Sequence, residues 1–152
     1  MINAIINFLE INPNLGTAGQ PLPDEFAGIH AAGYEVVINL VPASSPDALP
    51  DEEALVKALG MEYIHIPVIW TEPTAQDLDR FFAAMDHNRV RKVFAHCVLN
   101  MRVSVFVYLY RVLRLGAAPE AAWQSVEEIW QPEDVWQQFI DEQMIRLASS
   151  RP

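Results

Sequence analysis

The sequence predicts an α/β protein, a three-layer sandwich in which a mostly parallel central sheet is flanked by helices. Three apolar runs, residues 35–41, 63–68 and 92–97, have the length and continuous hydrophobicity of strands that are covered on both faces. Helical segments lie between these runs, and a helical tail follows the last of them. Alternating strands and helices of this kind form a sheet with helices on both faces.

The residues at the ends of the helical segments indicate where each helix begins and ends. Residues 23–33 and 50–60 each begin with a proline and acidic residues and end at a glycine, which suits the two ends of a helix. In residues 73–88, apolar side chains recur every three or four positions, as on one face of an amphipathic helix. These three segments therefore separate the predicted strands.

The segment after the last predicted strand, residues 103–115, is apolar on every face. A helix of this kind is normally the one at the centre of a domain. Two further helices are predicted to begin near residues 119 and 132. Because no repeat, low-complexity tract or composition shift marks a linker, we expect one domain over residues 1–152.

The composition limits the classes of function. The 152 residues are 51% apolar and 20% charged, which is typical of a folded domain. The formal charge of −10 disfavours nucleic acid as a partner, because affinity for nucleic acid comes largely from neutralising its phosphates. No apolar run reaches the roughly 18 residues of a membrane span, and the first residues lack the pattern of a secretory signal. We therefore expect a cytoplasmic protein with neither nucleic-acid nor membrane partners.

The chemistry is concentrated where the strand at residues 92–97 is followed by the apolar helix. The free N–H groups of the turn and of the first helical turn converge there, and the helix dipole adds positive potential. This arrangement predicts an anion cup, and it stabilises a thiolate at Cys97, the only cysteine. Arg102 can donate two N–H groups to two oxygens of a tetrahedral anion, and Ser104 is positioned to donate to the sulfur. The expected phosphate-binding residues are Val98, Leu99, Asn100, Met101 and Arg102. The simpler alternative is a buried cysteine that only packs.

The sequence His96-Cys97, followed by Arg102 and Ser104, resembles the signature of the cysteine-dependent protein tyrosine and dual-specificity phosphatases. Residues 17–21, which contain Gly-Gln-Pro, and the segment after them resemble the opening of a bacterial, phosphatase-like branch. The resemblance extends over about residues 12–145. It implies the cysteine-phosphatase fold and a hydrolase that cleaves phosphate monoesters without a metal or another cofactor.

The resemblance also implies roles for individual residues. Cys97 is the expected nucleophile, which forms a cysteinyl-phosphate, and Arg102 is expected to hold the equatorial oxygens. Ser104 is expected to assist hydrolysis of that intermediate, and His96 is expected to orient the loop without touching the substrate. The implied ligands are a phosphorylated small molecule or a phosphoprotein, together with inorganic phosphate or sulfate.

The sequence departs from this family at two places. Only four residues separate Cys97 from Arg102, and Asn100 stands where the family usually has glycine, although asparagine also tolerates a positive φ. Trp70 stands where the general acid, usually an aspartate, is expected, so Glu72 is the candidate to replace it.

Two polar residues near the ends of strands, Gln20 and Asn39, have two interpretations. Either they support the anion-binding loop from behind, or they satisfy local backbone groups. The four histidines show no spacing that suggests a zinc site, so no metal is expected.

Two other functions also fit the sequence. A cysteine, four residues and an arginine is the loop length of the rhodanese-type sulfurtransferases, whose smaller cup receives a sulfane sulfur. A third interpretation is a catalytically weak pseudophosphatase that binds phosphate or sulfate without turning over a substrate.

Overall fold

A computed structural model of the protein describes residues 2–148, which form a five-stranded sheet flanked by helices. The strands are β1 (Leu9–Asn12), β2 (Leu15–Ala18), β3 (Val36–Asn39), β4 (Glu62–His65) and β5 (Val93–His96). The α-helices are α1 (Phe26–Ala31), α2 (Glu52–Ala58), α3 (Ala75–His87), α4 (Met101–Leu113), α5 (Pro119–Glu127) and α6 (Asp134–Ala148). Two short 3₁₀ helices cover Ile2–Ala4 and Pro23–Glu25.

The strand order is β1-β2-β5-β3-β4, and every neighbouring pair is parallel except β1 and β2. The strand β5 lies at the centre, so that His96 at its end is in register with Ala18 of β2 and with Asn39 of β3. The carboxyl ends of three parallel strands therefore meet at one edge of the sheet. The prediction of a mostly parallel sheet is confirmed.

The sheet is covered on both faces, which confirms the three-layer architecture. Val36 and Ile38 of β3 pack in a cluster with α3, α4, α5 and α6. Val37 of the same strand and Phe94 of β5 point the other way and pack with α1 and α2. Since successive strand residues face opposite sides, β3 and β5, which are covered on both faces, are buried throughout, as the sequence indicated. The prediction is wrong for β4, an edge strand whose Glu62 and His65 are exposed and whose Tyr63 and Ile64 are half-buried.

The helix α4 begins two residues earlier than predicted, and this places Arg102 in its first turn. All of its residues except Met101 and Arg111 are buried, which confirms the prediction of a central helix. In the described range, 2–148, none of the helices combines the length and the apolar character needed to cross a membrane.

Two strands at one edge of the sheet were not predicted. The strand β1 has alternating half-buried and exposed residues, and β2 reads Leu-Gly-Thr-Ala, which carries little β-propensity. The strand β2 forms because it pairs with β5 over four residues. Tertiary pairing therefore outweighs a weak local signal at this position.

The packing around α4 can be tested with Phe106, which is fully buried and has ring contacts with Phe81, Trp136 and Phe139. We expect Phe106→Ala to lower the free energy of unfolding by about 3–5 kcal/mol, because it leaves a cavity at the centre of the larger core. Urea denaturation measures this change. The control is Val90→Ala at a position that is 93% exposed, where a change within about 0.5 kcal/mol is expected. Equal effects of the two substitutions would contradict this account of the core.

Candidate active site

The predicted anion cup corresponds to one loop, residues 97–102, which we call the anion loop. It begins directly after β5 and runs into the first turn of α4. Asn100, the residue that caps α4, has a φ of 68°, in the left-handed region. Asparagine is one of the few residues besides glycine that adopt this region readily, so the turn forms without glycine.

Four carbonyl groups of the anion loop are held by donors outside the cup. The carbonyl oxygen of Cys97 accepts a hydrogen bond from His96 Nδ1 at 3.2 Å, and the carbonyl oxygen of Val98 accepts one from the backbone N–H of Gln20 at 2.9 Å. The carbonyl oxygen of Leu99 accepts from Asn7 Nδ2 at 2.9 Å, and the carbonyl oxygen of Met101 accepts from Ser104 Oγ at 2.7 Å. In a planar trans peptide the carbonyl and the next N–H point in opposite directions. The carbonyl groups therefore turn away from the cup, and the N–H groups turn into it.

The N–H groups of the loop are correspondingly free to bind an anion. Within residues 2–148, the backbone N–H groups of Val98, Leu99 and Arg102 donate to no other backbone carbonyl. They lie at the N-terminus of α4, where the helix dipole favours negative charge. This arrangement is the one that the sequence predicted for an oxyanion.

The Gly-Gln-Pro segment supports the anion loop directly. Gly19 forms a bridge with Leu99, and a Cβ at Gly19 would lie 2.3 Å from the carbonyl oxygen of Val98, so only glycine fits there. The next residue, Gln20, supplies the backbone N–H that holds Val98. Asn39 instead has local partners, because it donates to the hydroxyl of Tyr63 and accepts from the N–H of Val41. The first interpretation therefore applies to Gln20, which supports the loop. The second applies to Asn39, which forms hydrogen bonds away from the loop.

A buried hydrogen-bonded pair, His96 and Glu52, lies behind the loop and was not predicted. His96 Nε2 lies 2.6 Å from Glu52 Oε2, and both side chains are fully buried. The other carboxylate oxygen of Glu52 accepts from Gln20 Nε2 at 2.9 Å. Since a carbonyl only accepts, His96 Nδ1 carries a hydrogen toward Cys97, while its Nε2 faces the carboxylate. The chain from Gln20 through Glu52 and His96 therefore fixes the peptide that follows Cys97.

Arg102 and Ser104 occupy fixed positions in the first turn of α4. Arg102 is 7% exposed, and its Nη1 donates to the carbonyl of Val68 at 2.8 Å, which uses one of the five N–H donors of the guanidinium. The Ser104 hydroxyl donates to Met101 O and accepts from Trp130 Nε1 at 2.9 Å. The expected hydrogen bond from Ser104 to the sulfur is therefore corrected, because the single hydroxyl hydrogen is directed at Met101.

A cavity of about 490 Å³ opens over the anion loop. Cys97 and Arg102 line it together with the side chains of Val98, Leu99 and Met101. Asn100 was predicted among the phosphate-binding residues but does not line the cavity. Its amide is buried and donates to Asn7 O at 2.9 Å and to Thr17 Oγ1 at 3.0 Å.

The rest of the cavity wall comes from two connections that follow strands. The β4–α3 connection, residues 66–74, contributes Ile69 and Trp70, and the β3–α2 connection, residues 40–51, contributes Asp47. Glu72, the predicted substitute for the general acid, is exposed and is not among the residues that line the cavity. The carboxyl group on the wall belongs instead to Asp47, in a proline- and serine-rich stretch that gave no catalytic signal in the sequence.

In the part of the chain that the structure describes, no group of three or more His, Cys, Asp or Glu side chains is arranged to hold a metal ion. The residues that line the cavity supply a thiol, a guanidinium and a carboxyl group beside apolar side chains. These are groups that can bind an anion and transfer a group to or from sulfur.

Residues 7–113 match the family model of the beta-lactamase hydrolase-like protein, phosphatase-like domain. A beta-lactamase hydrolase-like protein of Xylella fastidiosa is 31% identical over 71% of this chain and 26% of its own length. The chain therefore spans about a quarter of the length of the curated relatives that it matches.

Solved structures extend the similarity over nearly the whole chain. A candidate phosphatase of Shewanella putrefaciens is 35% identical, covers 96% of each chain and has a TM-score of 0.89. TpbA of P. aeruginosa, solved in complex with phosphotyrosine, is 16% identical, covers 94% of this chain and 91% of its own, and has a TM-score of 0.71. At that identity the second similarity shows the fold alone.

The fold and the loop at the end of β5 define a member of the protein tyrosine and dual-specificity phosphatase superfamily, which confirms the resemblance seen in the sequence. Within it, the chain belongs to the family of phosphatase-like domains found in beta-lactamase hydrolase-like proteins.

The buried pair behind the loop can be tested with Glu52→Ala. This change leaves His96 and Gln20 without their acceptor in the interior, and we expect it to lower the free energy of unfolding by about 3–5 kcal/mol. Urea denaturation measures the loss, and Glu52→Gln, which keeps one acceptor oxygen, is expected to lose less. The matched control is Glu53→Ala, because Glu53 is exposed and pairs with Lys57 on the surface. A loss at Glu52 no larger than at Glu53 would contradict the role of the pair.

Proposed function

We propose that the protein is a phosphatase of the phosphotyrosine and dual-specificity type, which hydrolyses phosphate monoesters through a cysteinyl-phosphate at Cys97. The observation that carries the proposal is the set of loop carbonyl groups held from outside, which leaves N–H donors around Cys97. Such a cup matches the three non-bridging oxygens of a phosphoryl group. Membership of a phosphatase family supports the same reaction.

In the proposed reaction, the loop N–H groups and Arg102 hold the phosphoryl oxygens, and the thiolate of Cys97 attacks phosphorus. The bond from phosphorus to the ester oxygen breaks, and that oxygen leaves with the bonding electrons and takes up a proton. Water then attacks the phosphothioester, and inorganic phosphate and the thiolate are released. His96 acts from behind the loop, by fixing the carbonyl group of Cys97.

The role implied for Ser104, which is assistance in hydrolysis of the phosphothioester, requires a change of hydrogen-bond partner. Its hydroxyl donates to Met101 O, so a rotation about χ1 is needed before it can donate to the sulfur. Trp130 Nε1, which donates to the Ser104 oxygen, favours the orientation seen here. Ser104→Ala is therefore expected to slow the second step more than the first.

The proposed substrates are phosphorylated small molecules or phosphoproteins that present a single phosphoryl group. Arg102 is the basic residue on the described wall of the cavity, and Asp47 adds an acidic group. Ile69, Trp70 and Leu99 offer exposed apolar surface beside the cup, and this suits an apolar leaving group. The complex of TpbA with phosphotyrosine is an example of such a ligand on the same fold.

The second candidate is a rhodanese-like sulfurtransferase, which is favoured by the four-residue spacing between Cys97 and Arg102. In that reaction the thiolate attacks the sulfane sulfur of thiosulfate, sulfite leaves with the bonding electrons, and a persulfide forms at Cys97. Cyanide then accepts the sulfane sulfur and restores the thiolate. A cup without turnover, which binds phosphate or sulfate as a pseudophosphatase, is the third possibility.

The proposal is tested by hydrolysis of p-nitrophenyl phosphate between pH 5 and pH 8. We expect turnover by the wild type, none by Cys97→Ser, and a loss of about 100-fold or more in Arg102→Ala, because a preorganised donor to the developing charge is removed. The control is Arg89→Ala, since Arg89 is exposed and pairs with Asp86 away from the cavity. Unchanged turnover is expected there.

Parallel assays identify the alternatives. Cys97-dependent transfer from thiosulfate to cyanide, without hydrolysis of the aryl phosphate, would replace the phosphatase by the sulfurtransferase. Binding of sulfate or phosphate that is lost in Arg102→Ala, with neither reaction, would leave the pseudophosphatase. Hydrolysis of p-nitrophenyl phosphate that survives Cys97→Ser would contradict the proposed nucleophile.

A further inference from the structure

We propose that Asp47, on the β3–α2 connection, is the general acid that protonates the leaving-group oxygen. This inference rests on the proposed phosphatase function. It assigns the acid to a different connection from the one on which the sequence resemblance placed it, which is the connection after β4. It also gives a role to a residue for which the sequence had indicated none.

The order of the strands brings the β3–α2 connection next to Cys97. The strand β3 is the direct neighbour of β5, and Asn39 is in register with His96. The pairing continues one residue beyond the strand, where the N–H of Leu40 donates to the carbonyl of His96 at 3.0 Å. The strand β4 lies one position further from β5. The β3–α2 connection therefore starts directly beside the end of β5, and its residue Asp47 lines the same cavity as Cys97.

Successive turns shape this connection and put Asp47 on the wall of the cavity. The N–H of Ser45 donates to Pro42 O at 3.0 Å, and that of Ala48 donates to Ser45 O at 3.1 Å. The N–H of Asp47 donates to Ser45 Oγ at 3.3 Å. Asp47 is exposed and lines the same cavity as Cys97 and Arg102. Its carboxyl group is thus accessible to a bound ester.

The β4–α3 connection is occupied by packing and does not present an acid to the cavity. The carbonyl of Trp70 accepts from Trp136 Nε1 at 2.8 Å, and the ring of Trp70 lies 5.3 Å from that of Trp130. The N–H of Glu72 donates to Ile69 O at 3.0 Å and closes a turn, with Glu72 exposed outside the cavity wall. This connection therefore supplies an aromatic wall and, through Val68, an anchor for Arg102.

In the proposed reaction Asp47 gives up one proton in the first step and regains one in the second. As the Cys97 sulfur bonds to phosphorus, the ester bond breaks and the leaving oxygen takes the proton of the Asp47 carboxylic acid. Asp47 is left as a carboxylate. In the second step the carboxylate accepts a proton from the attacking water, the phosphorus–sulfur bond breaks, and the electron pair returns to Cys97. Asp47 is then again a carboxylic acid and Cys97 again a thiolate, and the products are the alcohol and inorganic phosphate.

The test compares leaving groups of different acidity in Asp47→Asn. Protonation matters little for p-nitrophenolate and greatly for phenol, because general acid catalysis acts on the poorer leaving group. We expect Asp47→Asn to lower kcat/KM for phenyl phosphate by about 100-fold or more, and for p-nitrophenyl phosphate by less than about 10-fold. Asp47→Glu, which keeps the carboxyl group, is expected to restore part of the rate with phenyl phosphate.

Two controls carry the same change of charge. Asp51→Asn alters an exposed carboxyl of the same connection that does not line the cavity, and Glu72→Gln alters the acid first suggested by the sequence. Neither is expected to change the ratio of the two rates. The urea midpoint of each variant, compared with that of the wild type, separates an effect on chemistry from an effect on folding.

Each other outcome overturns the inference. A selective loss with phenyl phosphate in Glu72→Gln, and none in Asp47→Asn, would assign the acid to Glu72. Equal losses with both substrates in Asp47→Asn would make Asp47 a binding residue, and no loss would leave it without a role. These results would leave the proposed phosphatase function standing. Absence of Cys97-dependent turnover of p-nitrophenyl phosphate by the wild type would instead remove that function and the acid together.

Discussion

The site depends on the orientation of a few peptide groups between β5 and α4. Four carbonyl groups of the anion loop are occupied by His96, Gln20, Asn7 and Ser104, and this turns the N–H groups of Val98, Leu99 and Arg102 toward the cup. Two of these donors flank the loop, and the other two, Asn7 and Gln20, come from segments far away in the chain. The cup therefore forms only when these parts of the chain are packed together. The helix dipole of α4 adds to the positive potential of the loop N–H groups.

Much of the architecture is readable from the sequence because its signals are local. The strands β3 and β5 are short apolar runs, and α4 is apolar on all faces, so each is recognisable without its neighbours. Asn100 is likewise a local signal, since asparagine is one of the few residues that suit a left-handed turn. The position of the anion loop therefore follows from residues that are adjacent in the chain.

The parts that were not predicted depend on contacts between residues far apart in the chain. Glu52 looks like an ordinary acidic residue in the first turn of α2, and only the packing of α2 against the sheet brings it to His96, 44 positions later. Asp47 lines the cavity because β3 lies next to β5, whereas the family resemblance places the acid on the connection that directly precedes α3. The strand β2 was missed for the same reason, because it depends on its pairing with β5. Sheet order is thus the information that local patterns lack.

The overall charge of the protein and the charge of its cup have opposite effects on an anion. The formal charge of −10 repels phosphate at long range, but surface charges are screened beyond roughly 8 Å at physiological ionic strength. Within that distance the loop N–H groups, the N-terminus of α4 and Arg102 act on the anion, and they are screened less because they are buried or partly enclosed. Asp47 is on the same wall, so a ligand with several phosphates meets one guanidinium and one carboxyl group. A single phosphoryl group on an apolar molecule can use all the donors of the cup. A second phosphate near Asp47 would find no cation besides Arg102 among the residues that line the described cavity.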